Sequence, residues 1–423
     1  MREQPSAEST QSTSPGLFGW WKDSTPEARK ALGAASLGWM LDSFDVMLYS
    51  LVLAFLMADL NLAKEEAGVL GSITLVAAAV GGLAFGHIAD RFGRTRAMMA
   101  SMLIYATFTA ACGLAQNFTQ LAVFRIFLGF GMGGEWASGA ALVSETWPAR
   151  HRGKALGLMQ SSWAIGYALA AIVTALVLPV WGWRVVFFIG VLPAFATLWI
   201  RRNVKESEAW LHGRAIAAPV FAGFRKILSP AYRKVTIAIT LMNSCTLFAW
   251  WGFNLWVPAY LSLPVASGGV GLDPRAMSAL VVFMQVGMWF GYVTFGFVSD
   301  WVGRKPSYVT YLLAAAALLM LYSATRNPWL LLALGPFVAF FGTGYYTGLG
   351  TVTAEYYPTA VRATAQGFTY NVGRIASAFA PFTVGRLAEI EGFGIAFRIL
   401  AVAFVLAALL WIWIPETKGR ELK

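Results

Sequence analysis

The chain has 423 residues, of which 58% are hydrophobic and only 13% charged, with a mean hydropathy of +0.61. A soluble domain carries about 25% charged residues, so a soluble globular class is excluded and helices in a bilayer are indicated. The net charge of +11 does not point to nucleic acid, because the basic residues are scattered over short loops. Cys112 and Cys245 fall in apolar runs and suggest neither a disulfide framework nor a metal site.

Residues 1–30 are polar, with no apolar core and no small-residue cleavage site, and read as a disordered cytosolic tail rather than a signal peptide. A membrane crossing needs about 20 mostly apolar residues. Twelve stretches qualify: 31–57, 67–88, 97–115, 121–144, 154–178, 184–200, 235–261, 277–298, 306–323, 329–353, 363–385 and 394–414. The expected fold is therefore an all-α membrane protein of twelve transmembrane helices in two six-helix bundles. The bundles occupy 31–200 and 235–414, joined by a cytosolic loop at 201–234, and residues 415–423 form a cytosolic C-terminal tail.

Orientation follows from Lys and Arg. The tails and the loops between even and odd spans hold 24 of the 32 basic residues. That asymmetry places both termini in the cytosol, and the plasma (cell inner) membrane is the expected location.

The two halves repeat one another. At an offset of 210, Gly86, Asp90, Gly93 and Arg94 in "GHIADRFGR" map onto Gly296, Asp300, Gly303 and Arg304. The same offset maps Glu145, Pro148, Arg152 and Gly157 onto Glu355, Pro358, Arg362 and Gly367, and Glu206 onto Glu416. This is a parallel internal repeat.

On these motifs the chain resembles the major facilitator superfamily over essentially everything after residue 30. "GHIADRFGR" is similar to the family's loop motif between spans two and three, and "GFVSDWVGRK" to its weaker copy between spans eight and nine. "RIFLGFGMGGE", from Arg125, resembles the fourth-span motif, and "PETKG" at 415–419 resembles the ending of sugar and metabolite porters. "LDSFD" in span one with "GGEW" in span four is similar to the acid-transporting branches, the aromatic-acid, sialate and lactate proton symporters. The resemblance implies alternating access about one central cavity. It also implies a gating role for Gly86, Asp90, Gly93, Arg94, Glu145 and Arg152, with a second latch at Asp300, Arg304, Glu355 and Arg362. Such charges at helix ends can hold one half to the other. Solvated topology charges alone would not need Gly86, Gly93 or the acids at fixed spacing.

Five charges lie within spans: Asp42, Asp45, Arg125, Glu135 and Arg374. A charge at membrane depth costs at least about 2.5–3.5 kcal/mol, so it faces a polar cavity and marks function. Asp42 and Asp45 are spaced to share a helix face. Asp45 and Glu135, each near mid-span, are expected to form the proton-coupling pair, with Asp42 and Arg125 supporting. Two acids in a low-dielectric site oppose one another's ionisation, which leaves one able to hold a proton. The competing reading is a static buried ion pair that fixes packing, and it suits Arg125 best.

Arg374 is the one cation centred in a second-half span, with Asn371 expected beside it. Its planar fork suits a carboxylate, so an anionic substrate bridging the halves is expected there. Further pocket candidates are Asn254, Trp250, Trp251, Gln285, Tyr345 and Tyr346, although aromatics at helical spacing more often pack than bind.

Two patterns are decoys. Gly129, Gly131 and Gly134 satisfy G-x-G-x-x-G, but inside an apolar helix, where close packing explains them better than a dinucleotide. His87, His151 and His212 lack ligand spacing, so no metal is expected.

The reading is a monomeric secondary transporter taking up a small organic acid anion with protons, needing no cofactor because the sequence carries no ATP-binding P-loop. A sugar or polyol porter, or a nutrient sensor on the same scaffold, is the alternative. A membrane enzyme is disfavoured for want of a catalytic set.

Overall fold

A computed structural model describes residues 19–148, 151–206 and 220–418; certain side chains within them, including those of Asp90 and Arg152, lie outside the described residues. The first half contains α1 (Gly19–Lys22), α2 (Pro26–Leu60), α3 (Lys64–Phe92), α4 (Arg94–Cys112), α5 (Phe118–Thr146), α6 (Arg152–Ile189) and α7 (Leu192–Asn203). α8 (Val220–Ile227) precedes the second half. That half comprises α9 (Arg233–Ser262), α10 (Pro274–Val302), α11 (Arg304–Ala324), α12 (Pro328–Thr343), α13 (Leu349–Tyr356), α14 (Thr359–Ser377), α15 (Ala380–Ile390) and α16 (Phe393–Leu410). Among the described residues there is no strand.

Local chemistry sets the helix starts. Thr25 accepts from the N–H of Ala28 ahead of Pro26, and Asp273 accepts from Arg275 and Ala276 ahead of Pro274. Each pairs an N-cap side chain with a proline whose missing N–H costs nothing in the first turn.

Among the described residues, nine stretches are long and apolar enough to cross a membrane. One of them, Gly153–Ile200, runs 48 residues. Fully straight it would extend about 72 Å against a hydrocarbon core of about 30 Å. It instead breaks at Gly182 (φ 75°, ψ 176°), so expected spans five and six lie inside one run. The other two differences have local causes. α4 opens on Arg94 and Arg96 and carries Ser101, Thr107 and Thr109, which lowers its hydropathy. Expected span 363–385 is divided between α14 and α15, because Pro381 cannot donate to the carbonyl of Ser377 and crowds it.

The repeat is visible in packing. A Cβ on Gly81 would lie 2.0 Å from the carbonyl oxygen of Phe130, fixing the approach of α3 to α5. A Cβ on Gly291 would lie 2.5 Å from that of Phe340, doing the same for α10 and α12. Both members of this pair are offset by 210. The decoy glycines pack likewise: Cβ atoms on Gly129, Gly131 and Gly134 would strike Thr74, Tyr105 and Phe85.

The halves meet through α2 with α9, α3 with α15, and α6 with α10. They are sealed on the face opposite the repeated loops. There Ser50 donates to the carbonyls of Asn254 (2.8 Å) and Leu255 (2.7 Å), and Tyr167 donates to Asn254 (3.2 Å). Farther out, the N–H of Lys64 donates to Glu389 at 3.2 Å, and Arg386 lies 3.6 Å from Glu65. Toward the loop-bearing face the halves diverge around a cavity.

Candidate functional site

The repeated loops are built alike. Gly93 and Gly303 link consecutive helices with φ of 114° and 122°, a backbone region that a side chain strains. Having no side chain, neither caps the helix it starts, and a distant glutamate does so. Glu206 accepts from the N–H groups of Thr95 (3.1 Å) and Arg96 (3.2 Å), and Glu416 from Arg304 (3.0 Å) and Lys305 (2.9 Å). Burial tends to raise the Glu416 carboxyl. The N–H groups of Lys418, Lys305, Arg304 and Thr417 outweigh it and hold the group below its usual 4.5.

Arg94 donates to Glu145 at 3.2 Å. Arg304 donates to Glu355 at 2.8 Å, to the Ser299 hydroxyl at 3.0 Å and to Asp300. These ion pairs run within each half. The expected latch between halves is thus, in this state, a tie between loops of one half, because the halves stand apart on this face. Arg362 is half-buried at the start of α14, and the side chains of Asp90 and Arg152 lie outside the described residues. Gly86 and Gly296 face open space: a Cβ there would meet nothing within 4 Å.

The divergence leads to a cavity of about 310 Å³, lined from both halves by residues including Ser144, Gln160, Asn243, Thr353, Gln366 and Tyr370. Gln160, Tyr346 and Tyr370 also line a deeper cavity of about 40 Å³, so the two adjoin. Arg374 lies at the deeper one, among Trp39, Trp163, Trp250, Trp251, Tyr292, Tyr346 and Tyr370. Trp39 and Trp163 have ring centroids 4.5 Å apart, and Trp250 and Trp251 4.8 Å. Arg374 is 6% exposed, and among the described residues no hydrogen bond or ion pair engages its guanidinium. The indole N–H groups of Trp163 and Trp250 are buried without a hydrogen-bond partner. Arg374 and the indoles of Trp163 and Trp250 thus border one cavity without a described acceptor for their N–H groups, and buried donors of this kind call for one.

The carboxylates stand on the first-half side. A Cβ on Gly38 would lie 2.1 Å from Glu135 Oε1, which places Glu135 one helical turn from Asp42. Both carboxylates are 0% exposed and make no hydrogen bond. Asp42 is within Coulombic reach of both Glu135 and Arg374. Asp45 turns toward α4, where Thr109 donates to it at 3.1 Å, and it sits against Gly190. The neighbour of Glu135 is therefore Asp42 rather than the expected Asp45. Arg125 joins none of these acids in the described contacts. Its guanidinium lies 3.8 Å over the Tyr49 ring and donates to Thr74 at 2.8 Å, a packing arrangement.

Of the expected pocket residues, Arg374, Trp250, Trp251 and Tyr346 line the cavity. Tyr345 does not; its backbone carbonyl accepts from Tyr308. Asn371 turns back onto the carbonyl of Gly367 at 2.8 Å, and Gln285, although buried, lines neither cavity. Asn254 donates to its own helix at Trp250, and it is its carbonyl that reaches the other half. Sequence reasoning missed Trp39, Gln160, Trp163, Tyr292 and Tyr370. It also missed Tyr105, which is buried within electrostatic range of Asp42, Asp45 and Glu135.

A two-fold repeat of helices enclosing a cavity lined from both halves has the architecture of a membrane transporter. The Major Facilitator Superfamily description matches residues 35–264 and 259–423, and the chain belongs to that family. It is 35% identical to a protein of Cupriavidus pinatubonensis named for 4-methylmuconolactone transport, over 95% of this chain and 94% of that one. It is 32% identical to a sialic acid transporter of Escherichia coli (91% and 93% covered) and 32% identical to a cis,cis-muconate transport protein of Acinetobacter baylyi (89% and 91%). A D-xylose-proton symporter structure shares the fold, with a TM-score of 0.77 at 21% identity over 94% of this chain and 100% of that one.

Proposed function

We propose that the protein is a proton-coupled symporter of a small, unsaturated or aromatic organic acid anion. It would work as a monomer in the plasma membrane, crossing twelve times with both termini in the cytosol. The observation that carries this reading is Arg374: a buried guanidinium with no hydrogen bond or ion pair among the described residues, in an aromatic cage where the indole N–H groups of Trp163 and Trp250 also lack acceptors. A carboxylate satisfies the fork and the indoles together, and a flat unsaturated body suits the ring faces. That the relatives above are named for small organic acids, or for a lactone of one, supports it.

Asp42 and Glu135 supply the proton site. Two carboxylates side by side, away from water and without hydrogen-bond donors, hold a proton between them, since two unsatisfied buried charges would be prohibitive. Asp42 also feels Arg374. A substrate carboxylate that takes over the guanidinium removes its support for an ionised Asp42 and favours proton uptake there. That exchange links the two cargoes.

Purified protein in liposomes, given an inward proton gradient, should accumulate radiolabelled 4-hydroxybenzoate or benzoate above equilibrium, and a protonophore should abolish this. Equal accumulation with and without the gradient overturns the coupling. Uptake of xylose but of no acid overturns the substrate class.

A further inference from the structure

The larger cavity differs from the cage in one chemical respect. Its described lining carries amides and hydroxyls but no charged side chain, and across both cavities Arg374 is the one described cation. We infer that the site takes acids with a single carboxylate, and that the far end of the ligand must be neutral and hydrogen-bonding. This rests on the reading that a substrate carboxylate sits on Arg374.

With the carboxylate held there, α14 sets the ruler. Tyr370 and Gln366 lie one and two turns from Arg374 on the same face, roughly 6 and 12 Å along the axis. A ring lying against the aromatics therefore directs its far substituent to Tyr370, Gln160 and Asn243, and a longer one to Gln366. Asn243 is 2% exposed, and its Oδ1 has no hydrogen-bond partner. Amides and hydroxyls both donate and accept, so a phenolic hydroxyl is paired whichever way it points. A second carboxylate would find dipoles but no countercharge. It would be a buried charge without a partner, which protein interiors disfavour strongly.

Charge balance in the cycle points the same way. A monoanion on Arg374 forms a neutral pair that can be occluded between the halves. A dianion leaves one net charge to cross at membrane depth. The chain would thus differ from the cis,cis-muconate relative, whose named cargo is a dicarboxylate, despite 32% identity.

The test is binding to the purified full-length protein at pH 7.5, read by quenching of tryptophan fluorescence. Three ligands share one skeleton: 4-hydroxybenzoate, terephthalate, and 4-carbamoylbenzoate, whose amide keeps the length of the second carboxylate but loses its charge. The expected result is at least tenfold weaker binding of terephthalate than of either monoanion. Gln366→Arg, which supplies a second cation, should narrow that ratio by fivefold or more. Terephthalate binding within twofold of 4-hydroxybenzoate overturns the inference while leaving the acid reading intact. 4-Carbamoylbenzoate binding as poorly as terephthalate also overturns it, because length rather than charge then decides. If none of the three binds, the underlying reading falls too.

Discussion

The hydroxyl of Ser50, in the first half, donates at 2.8 Å to the carbonyl of Asn254, in the second. That carbonyl is available because Pro258, four residues on in α9, has no N–H to offer it. The proline strands an acceptor inside a helix, and Ser50 and Tyr167 of the other half satisfy it. Opening this face must break both bonds.

A first prediction follows from that seal. Each bond contributes about 1 kcal/mol, so Ser50→Ala should move the equilibrium roughly fivefold toward the conformation open on this face. Adding Tyr167→Phe should deepen the shift. Spin labels placed on α2 and α9 near this face should report longer distances in the variants. Distance distributions identical to the parent's would show that the two bonds do not hold the seal.

Two glycines of α3 separate packing from motion. A methyl on Gly81 would strike the backbone oxygen of Phe130, a displacement expected to cost about 1–3 kcal/mol. Gly81→Ala and its repeat Gly291→Ala should therefore lower the melting temperature in detergent. Gly86→Ala and Gly296→Ala meet open space here, so they should melt like the parent. They should nevertheless slow transport, because the loop-bearing face must close on something during the cycle. Parental uptake in Gly86→Ala would remove the case for a tight approach there.

The repeat and its loops were legible because a motif at fixed spacing survives in one dimension. The pocket was legible only in part. Repeat equivalence to Glu135 selects Tyr345, yet Gly344–Gly348 is a 3₁₀ turn. With about three residues per turn instead of 3.6, the side-chain directions rotate and Tyr346 reaches the cavity. The i, i+3 spacing likewise put Asp42 and Asp45 on one face, but Thr109 and Gly190 draw Asp45 aside, and no local pattern encodes that contact. Trp39 and Trp163 look like packing residues in the sequence. Only the tertiary fold sets them beside Arg374.

The cap supplied by Glu416 predicts a pH dependence. Its carboxyl is held below 4.5 in the folded chain by four backbone N–H groups. A depressed folded value means the stabilisation is complete above 4.5 and disappears as pH falls through the folded value. Glu416→Gln keeps the shape but loses the charge, so it should melt at a lower temperature at pH 7. The difference from the parent should shrink steadily below about pH 4.5. A constant difference down to pH 3 would mean that the charge at this helix start contributes nothing.

The proton site gives the sharpest discrimination. Glu135 leans on Gly38, one turn from Asp42, and neither carboxylate has a hydrogen-bond donor. Asp45 already has the Thr109 hydroxyl and lies two turns along α2 from Gly38, against Gly190. Asp42→Asn or Glu135→Gln removes a titrating site while preserving volume. Either should abolish accumulation driven by a proton gradient while leaving exchange of labelled for unlabelled substrate within about threefold of the parent, because exchange needs no net proton movement. Asp45→Asn retains a partner for Thr109 and should lose less of the gradient-driven uptake. Gly38→Ala offers an independent probe, since its methyl would displace Glu135 Oε1, 2.1 Å away, without removing any titratable group. It should mimic Glu135→Gln in uptake and leave binding on Arg374 unchanged. The comparison that decides is gradient-driven uptake against exchange for all four variants in one preparation. If Asp45→Asn alone uncouples while Asp42→Asn accumulates substrate like the parent, the proton travels through the α4 side of the bundle, and the link from Asp42 to Arg374 plays no part in coupling.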